Sequence, residues 1–125
     1  MSPARRAAPL LLAAALTSAC GGMAGPAEPD GEPVVRGPVE SLTHHATGSG
    51  ILVRAGPGSR DPCGIAATAD RDTRYLRRGS DGRVVSAVLA EVEVGDTVEV
   101  YVTGPVAESC PLQGRAATIL LLGDN

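Results

Sequence analysis

Glu108 and Ser109 stand side by side before Cys110-Pro111, with Gln113 just beyond and Tyr101 on the stretch before. A carboxylate and a hydroxyl next to a proline can hold a cation or a small polar ligand, or cap the backbone of their own loop. In the second case Glu108 accepts backbone N–H bonds or pairs with an arginine such as Arg115. His44 and His45 are the only histidines. Neighbours on a strand point to opposite faces, so the pair does not chelate one metal ion, and no metal site is expected. Asp70 and Asp72 resemble a fragment of a calcium loop, but no run of five oxygen ligands follows, and a solvated turn is expected there. Arg74, Arg77, Arg78 and Arg83 could meet an anionic partner, or form a solvated hairpin face balanced by nearby acids. With no lysine anywhere, the chain has neither the lysine of a phosphate-binding P-loop nor a Schiff base. It has no Gly-x-Ser-x-Gly nucleophile elbow either. No catalytic residue and no cofactor is expected, and the chain does not read as an enzyme.

Composition narrows the partners. The 125 residues allow one small domain. Tyr75 and Tyr101 are the only aromatic side chains, so there are few ring faces on which bases or sugars could stack. Beyond Cys20 the chain carries 9 Arg against 14 carboxylates, a net charge near −5. An acidic, ring-poor domain is a poor nucleic-acid binder.

The N-terminus reads as an address. Arg5 and Arg6 precede an apolar run from Ala7 to Leu16, ten residues long and too short to span a bilayer as a helix. Thr17-Ser18-Ala19 brings small residues up to Cys20. This resembles a bacterial lipoprotein leader, which implies cleavage before Cys20 and a diacylglycerol on its thiol. The usual leucine three residues before the cysteine is displaced here by one position, to Leu16. Two or three acyl chains anchor a protein stably where one does not. Gly21 to Pro33, about 13 residues of mostly Gly, Pro and acid, has no hydrophobic period and reads as a disordered spacer. The expected organisation is a signal peptide over 1–19, a lipidated Cys20 with a flexible tether to residue 33, and a domain over 34–125.

Within that domain the apolar residues fall in short runs. Val98, Val100 and Val102 alternate with Glu99, Tyr101 and Thr103, the period of a half-buried strand within Val94 to Thr103. Val34 to His45 is interrupted by Gly37-Pro38, which predicts a break or bulge. Ile51 to Val53, Cys63 to Ala69 and Thr73 to Arg78 read as strands, and Val84 to Val92 fits a strand or one helical turn equally. Arg115 to Leu122 ends in Ile119-Leu120-Leu121-Leu122, which predicts a strand buried on both faces or covered by a loop. About five or six short strands with no long amphipathic helix predict an all-β fold, a small antiparallel barrel or sandwich.

With Cys20 assigned to the anchor, Cys63 and Cys110 remain. A cysteine pair in an extracytoplasmic domain predicts one disulfide. No Cys-x-x-Cys motif points to redox chemistry.

Glu108-Ser109-Cys110-Pro111-Leu112-Gln113, followed by Ala116 and Ile119 and preceded by Val94-Gly95-Asp96-Thr97-Val98 and Gly104, is similar to the signature of the YobA-like family of small bacterial lipoproteins and secreted proteins. The family motif carries a tyrosine where this chain has Cys110. The resemblance implies an OB-like barrel and carries over no catalytic residue. The sequence as a whole reads as a lipid-anchored, non-catalytic binding or interaction module of the cell envelope. Its expected partners are the membrane, through Cys20, and an unidentified envelope protein or small ligand. The alternative is a small-ligand or metal-ion carrier using Glu108, His44 or His45 at a barrel mouth, and a minor one is an enzyme acting on envelope substrates.

Overall fold

Val98 and Val100 point inward and Glu99 outward, and that alternation lies at the centre of a closed barrel. The computed structural model describes residues 25–123; the leader and Cys20 lie outside them. Seven strands follow in order: β1 (Val35–His45), β2 (Gly48–Val53), β3 (Ile65–Ala69), β4 (Arg74–Arg78), β5 (Val84–Ser86), β6 (Thr97–Val102) and β7 (Leu112–Leu122). The order β3-β2-β1-β6-β7, with β3 pairing back onto β7, closes a five-stranded OB-like barrel. Strands β4 and β5 extend it from the second half of β7.

All pairings are antiparallel except two. The first half of β7 runs parallel to β3 (Ile65 opposite Leu112 through Thr68 opposite Arg115). The second half runs parallel to β4 (Arg74 opposite Thr118 through Arg78 opposite Leu122). Side chains fill the barrel: Val35, Ile51, Val53, Ile65, Val98 and Ile119 are all fully buried.

Strand β1 does not break at Gly37-Pro38. It exchanges partners there, from β6 (Gly37 opposite Val98) to β2, and a bulge-type register shift follows between Val39 and Ser41. The segment after β2 closes onto this corner: the Arg54 amide donates to the Pro38 carbonyl (3.0 Å) and the Gly56 amide to the Arg36 carbonyl (2.7 Å).

The apolar end of β7 is buried on both faces, as its sequence predicts. Ile119 and Leu121 fill the barrel, while Leu120 turns outward into a second cluster with Leu76 and Val84, flanked by Tyr101 and Leu122. The ambiguous stretch Val84 to Val92 divides into β5 and a single 3-10 turn, Leu89–Glu91. In that turn the Glu91 carboxylate accepts the Val88 amide (3.3 Å) and an Arg77 N–H (3.2 Å).

Residues 25–33 have no helix or strand, in keeping with their composition. They nevertheless lie against the outward face of β4 and β5. Glu28 pairs with Arg78 through both carboxylate oxygens (2.8 and 3.2 Å), and Arg74 donates to the Ala27 carbonyl (2.7 Å). Gly25 passes so close to the Val84 carbonyl that a Cβ there would sit 2.9 Å from it. The acid that balances Arg78 therefore comes from a segment fifty residues earlier in the chain, while Arg77 on the same strand takes Glu91.

Candidate functional site

The side chains singled out in the sequence do not converge. Ser109 and Gln113 come together, but they serve their own loop. The Ser109 hydroxyl donates to the Pro111 carbonyl (2.8 Å) and accepts from the Gln113 amide (3.4 Å), while Ala107 and Gln113 form a backbone bridge. A serine hydroxyl becomes nucleophilic beside a base; here it is turned onto a carbonyl. Glu108 opens on the other side of the loop, into a small notch of about 260 Å³ shared with Val34, Arg60 and Asp61. It does not pair with Arg115, because the register of β7 against β3 carries Arg115 to the β3–β4 turn instead.

Tyr101 lies on the outer face of β6, away from that loop, and donates its hydroxyl to Glu99. Burial first, and then the Glu99 carboxylate, hold its phenol far above the ordinary value, so it stays neutral. His44 and His45 sit at the hairpin end of β1, where the His44 ring nitrogen Nδ1 is 3.2 Å from the Ser49 hydroxyl. Glu108 lies beside Val34, at the opposite end of that eleven-residue strand. A carrier site built jointly from Glu108 and the histidines is therefore not assembled. Among the described residues, no three His, Cys, Asp or Glu side chains are grouped as metal ligands.

The cysteines meet as expected. Cys63 and Cys110 form a disulfide with their Cα atoms 5.1 Å apart. It lies two residues before the first rung of the parallel β3–β7 ladder, Ile65 opposite Leu112, where the Leu112 amide also donates to the Gly64 carbonyl (3.0 Å). The bond thus fastens the seam that closes the barrel.

Asp70 and Asp72 form a turn, not a cation loop. Asp70 accepts the Asp72 amide (2.9 Å), and Arg115 clamps both Asp70 carboxylate oxygens (2.7 and 3.0 Å). The buried Thr73 hydroxyl ties the same turn to β7 through the Ala116 carbonyl (2.8 Å). Arg115, and then the Asp72 amide, hold the Asp70 carboxyl below its ordinary value of 3.8. A depressed carboxyl pKa stabilises the fold above the unfolded value, and that contribution fades as pH falls through the folded one. Denaturant midpoints measured from pH 6 downward should therefore fall more steeply below about pH 4 for the wild type than for Asp70→Asn. Equal slopes would show that the clamp does not couple to folding.

Just beyond this turn, beside the β1–β2 hairpin, a cleft of about 820 Å³ opens on the barrel. Its walls are the β1–β2 hairpin, the β3–β4 turn, β4 itself, and the chain from Ser86 to Leu89. Pro26 and Ala27 add a further wall. The Ala87 amide donates to the Tyr75 carbonyl (2.9 Å), which holds this chain alongside β4. Apolar surface dominates: Tyr75, Ala87, Val88 and Leu89 line it, and Val88 is 57% exposed, while Leu76 contributes from β4 with its side chain buried in the second cluster. Burial, helped by the Asp70 charge, raises the Tyr75 phenol and keeps it neutral. Arg71 and Arg74 stand at the mouth. The volume is that of a small-molecule site. One faint signal of it lies in the sequence: Val88-Leu89 continues apolar after β5 ends, beside small residues (Ser86, Ala87, and Ala69 opposite) that leave the space unfilled.

No family model, no curated protein and no solved structure matches this chain.

Proposed function

We propose that this chain is a lipid-anchored, extracytoplasmic binding module of the bacterial cell envelope, without catalysis, and that its ligand sits in the cleft between β4, the Ser86–Leu89 segment and the β1–β2 hairpin. The cleft carries the binding part of this reading. It is concave and apolar with a few polar groups at its rim, as binding sites are, and the filled barrel interior leaves a ligand no room inside. The leader Met1 to Cys20 supports the anchoring part, and the acidic charge argues against nucleic acid. The similarity of Val94 to Ile119 to the YobA-like family agrees with an envelope lipoprotein. The cleft's apolar walls favour a small apolar ligand over a metal ion as the thing carried.

Replacing the acylated thiol tests the anchor. In flotation of whole envelopes, the wild type should travel with membranes and Cys20→Ala should remain in the soluble fraction or keep its leader uncleaved. A Cys20→Ala chain that is processed and still floats fully with the membrane would remove the lipoprotein reading.

A further inference from the structure

We infer that the cleft accepts one acyl chain of a phosphoryl-headed lipid drawn from the membrane in which Cys20 is anchored. This rests on the anchoring reading above and gives its ligand a chemical class. Three observations converge on it.

The first is position. Pro26 and Ala27 are part of the cleft wall, and the segment is fixed there by the Arg74–Ala27 and Arg78–Glu28 contacts. Pro26 lies six residues beyond Cys20, with five between them, and six residue steps span at most about 20 Å. The rest of the segment, up to residue 33, adds nothing to that reach, because it lies on the barrel side of the fixed point. An anchored Cys20 therefore holds the cleft within about 20 Å of the lipid headgroups.

The second is lining. Ala87, Val88 and Leu89 offer an apolar wall beside the neutral Tyr75 ring, a surface suited to an alkyl chain.

The third is charge. Arg71 and Arg74 stand at the mouth, while the acids beside them are turned to Arg115: Asp70 at 2.7 Å and Asp72 at 3.8 Å. Arg74 spends one N–H on the Ala27 carbonyl, and its other donors are available to a phosphate, which the guanidinium fork fits. The chain as a whole is acidic, so general attraction to an anionic bilayer does not explain two arginines at this mouth.

The test uses the full processed protein reconstituted in vesicles that contain phosphatidylglycerol with a photoreactive group in its acyl tail. Irradiation should label Tyr75 and the peptide carrying Ala87 to Leu89. Ala87→Trp, which fills the cleft, should reduce that labelling at least tenfold while flotation is unchanged. Val88→Asp changes an exposed side chain and serves as a second variant if Ala87→Trp fails to fold; it should act in the same direction. Arg71→Gln with Arg74→Gln should lower labelling by the phosphatidylglycerol probe but not by a diacylglycerol probe with the same tail. Labelling spread evenly over the barrel, or unaffected by both cleft variants, would overturn the inference. Cleft residues instead protected by a bound protein would overturn it as well. If the wild type does not float, the anchoring reading fails by itself. Saturable binding of lysophosphatidylglycerol to the same chain, lost in Val88→Asp, would then still support the cleft, and no binding would end it.

Discussion

A chain with Cys63→Ala and Cys110→Ala together should unfold roughly 15–30 °C below the wild type, from a loss of about 4 kcal/mol at 4–8 °C per kcal/mol. The loss comes from releasing a loop whose ends are 47 residues apart in sequence, which the chain-entropy model values at about 4 kcal/mol. Small domains have only about 5–15 kcal/mol of stability in total, so the variant should be close to unfolding at physiological temperature. Position sharpens the expectation. The disulfide adjoins the first rung between β3 and β7, the parallel pairing that closes the barrel. Parallel partners distant in sequence must be brought together against loop entropy, and the disulfide keeps them together in the unfolded chain. Hydrogen exchange in the variant should therefore rise first at Ile65 to Thr68 and Leu112 to Arg115, before the β1–β2 hairpin. Thermal midpoints that differ by less than a few degrees would show that the seam holds without its staple.

Gly37→Ala is expected to cost about 3 kcal/mol or more, beyond the usual range for a residue so small. A Cβ at this position would lie 1.9 Å from the Arg54 carbonyl oxygen. That oxygen is backbone, so no side chain can swing aside to make room. The two hydrogen bonds on either side, Arg54 to Pro38 and Gly56 to Arg36, hold the strands at this distance. Separating them far enough for a methyl group would break one or both and leave polar backbone without partners, at about 1–3 kcal/mol for each buried group. Denaturant unfolding measures the effect directly. A midpoint within experimental scatter of the wild type would show that the β1 corner can open without loss.

What was legible in the sequence was what depends on local alternation. Val98 and Val100 against Glu99 marked β6, and Ile119 to Leu122 marked a strand buried on both faces, as the two apolar clusters show. Cys63 and Cys110 paired as expected once they were the only cysteines left in the domain. Gly37-Pro38 predicts a break or a bulge; the strand is unbroken, and the irregularity comes just after the pair, as the register shift between Val39 and Ser41. The close approach that demands glycine there comes from Arg54, beyond a hairpin.

The rest depended on partners far away in the chain. The composition of Gly21 to Pro33 predicts a disordered tether, yet it does not reveal that Glu28 will meet Arg78 and that residues 27 and 28 will lie against β4. Arg115 is seven residues from Glu108 in sequence, but the β3–β7 register gives it to Asp70. The cleft was hardest to foresee, because it consists of space. It exists where the β1–β2 hairpin, the β3–β4 turn and the Ser86–Leu89 segment meet and small side chains leave the gap open. No periodicity records a meeting of three segments so far apart in the chain.

The most direct test is native mass spectrometry of the processed protein extracted from the envelope of its own host. The expected mass carries a diacylglyceryl group on Cys20 and lies two hydrogens below the reduced chain. It should also show a non-covalent adduct that survives gentle activation and is absent from Ala87→Trp. A lipid-free chain with no adduct, or an adduct retained unchanged when the cleft is filled, would contradict an envelope-anchored module that binds through this cleft.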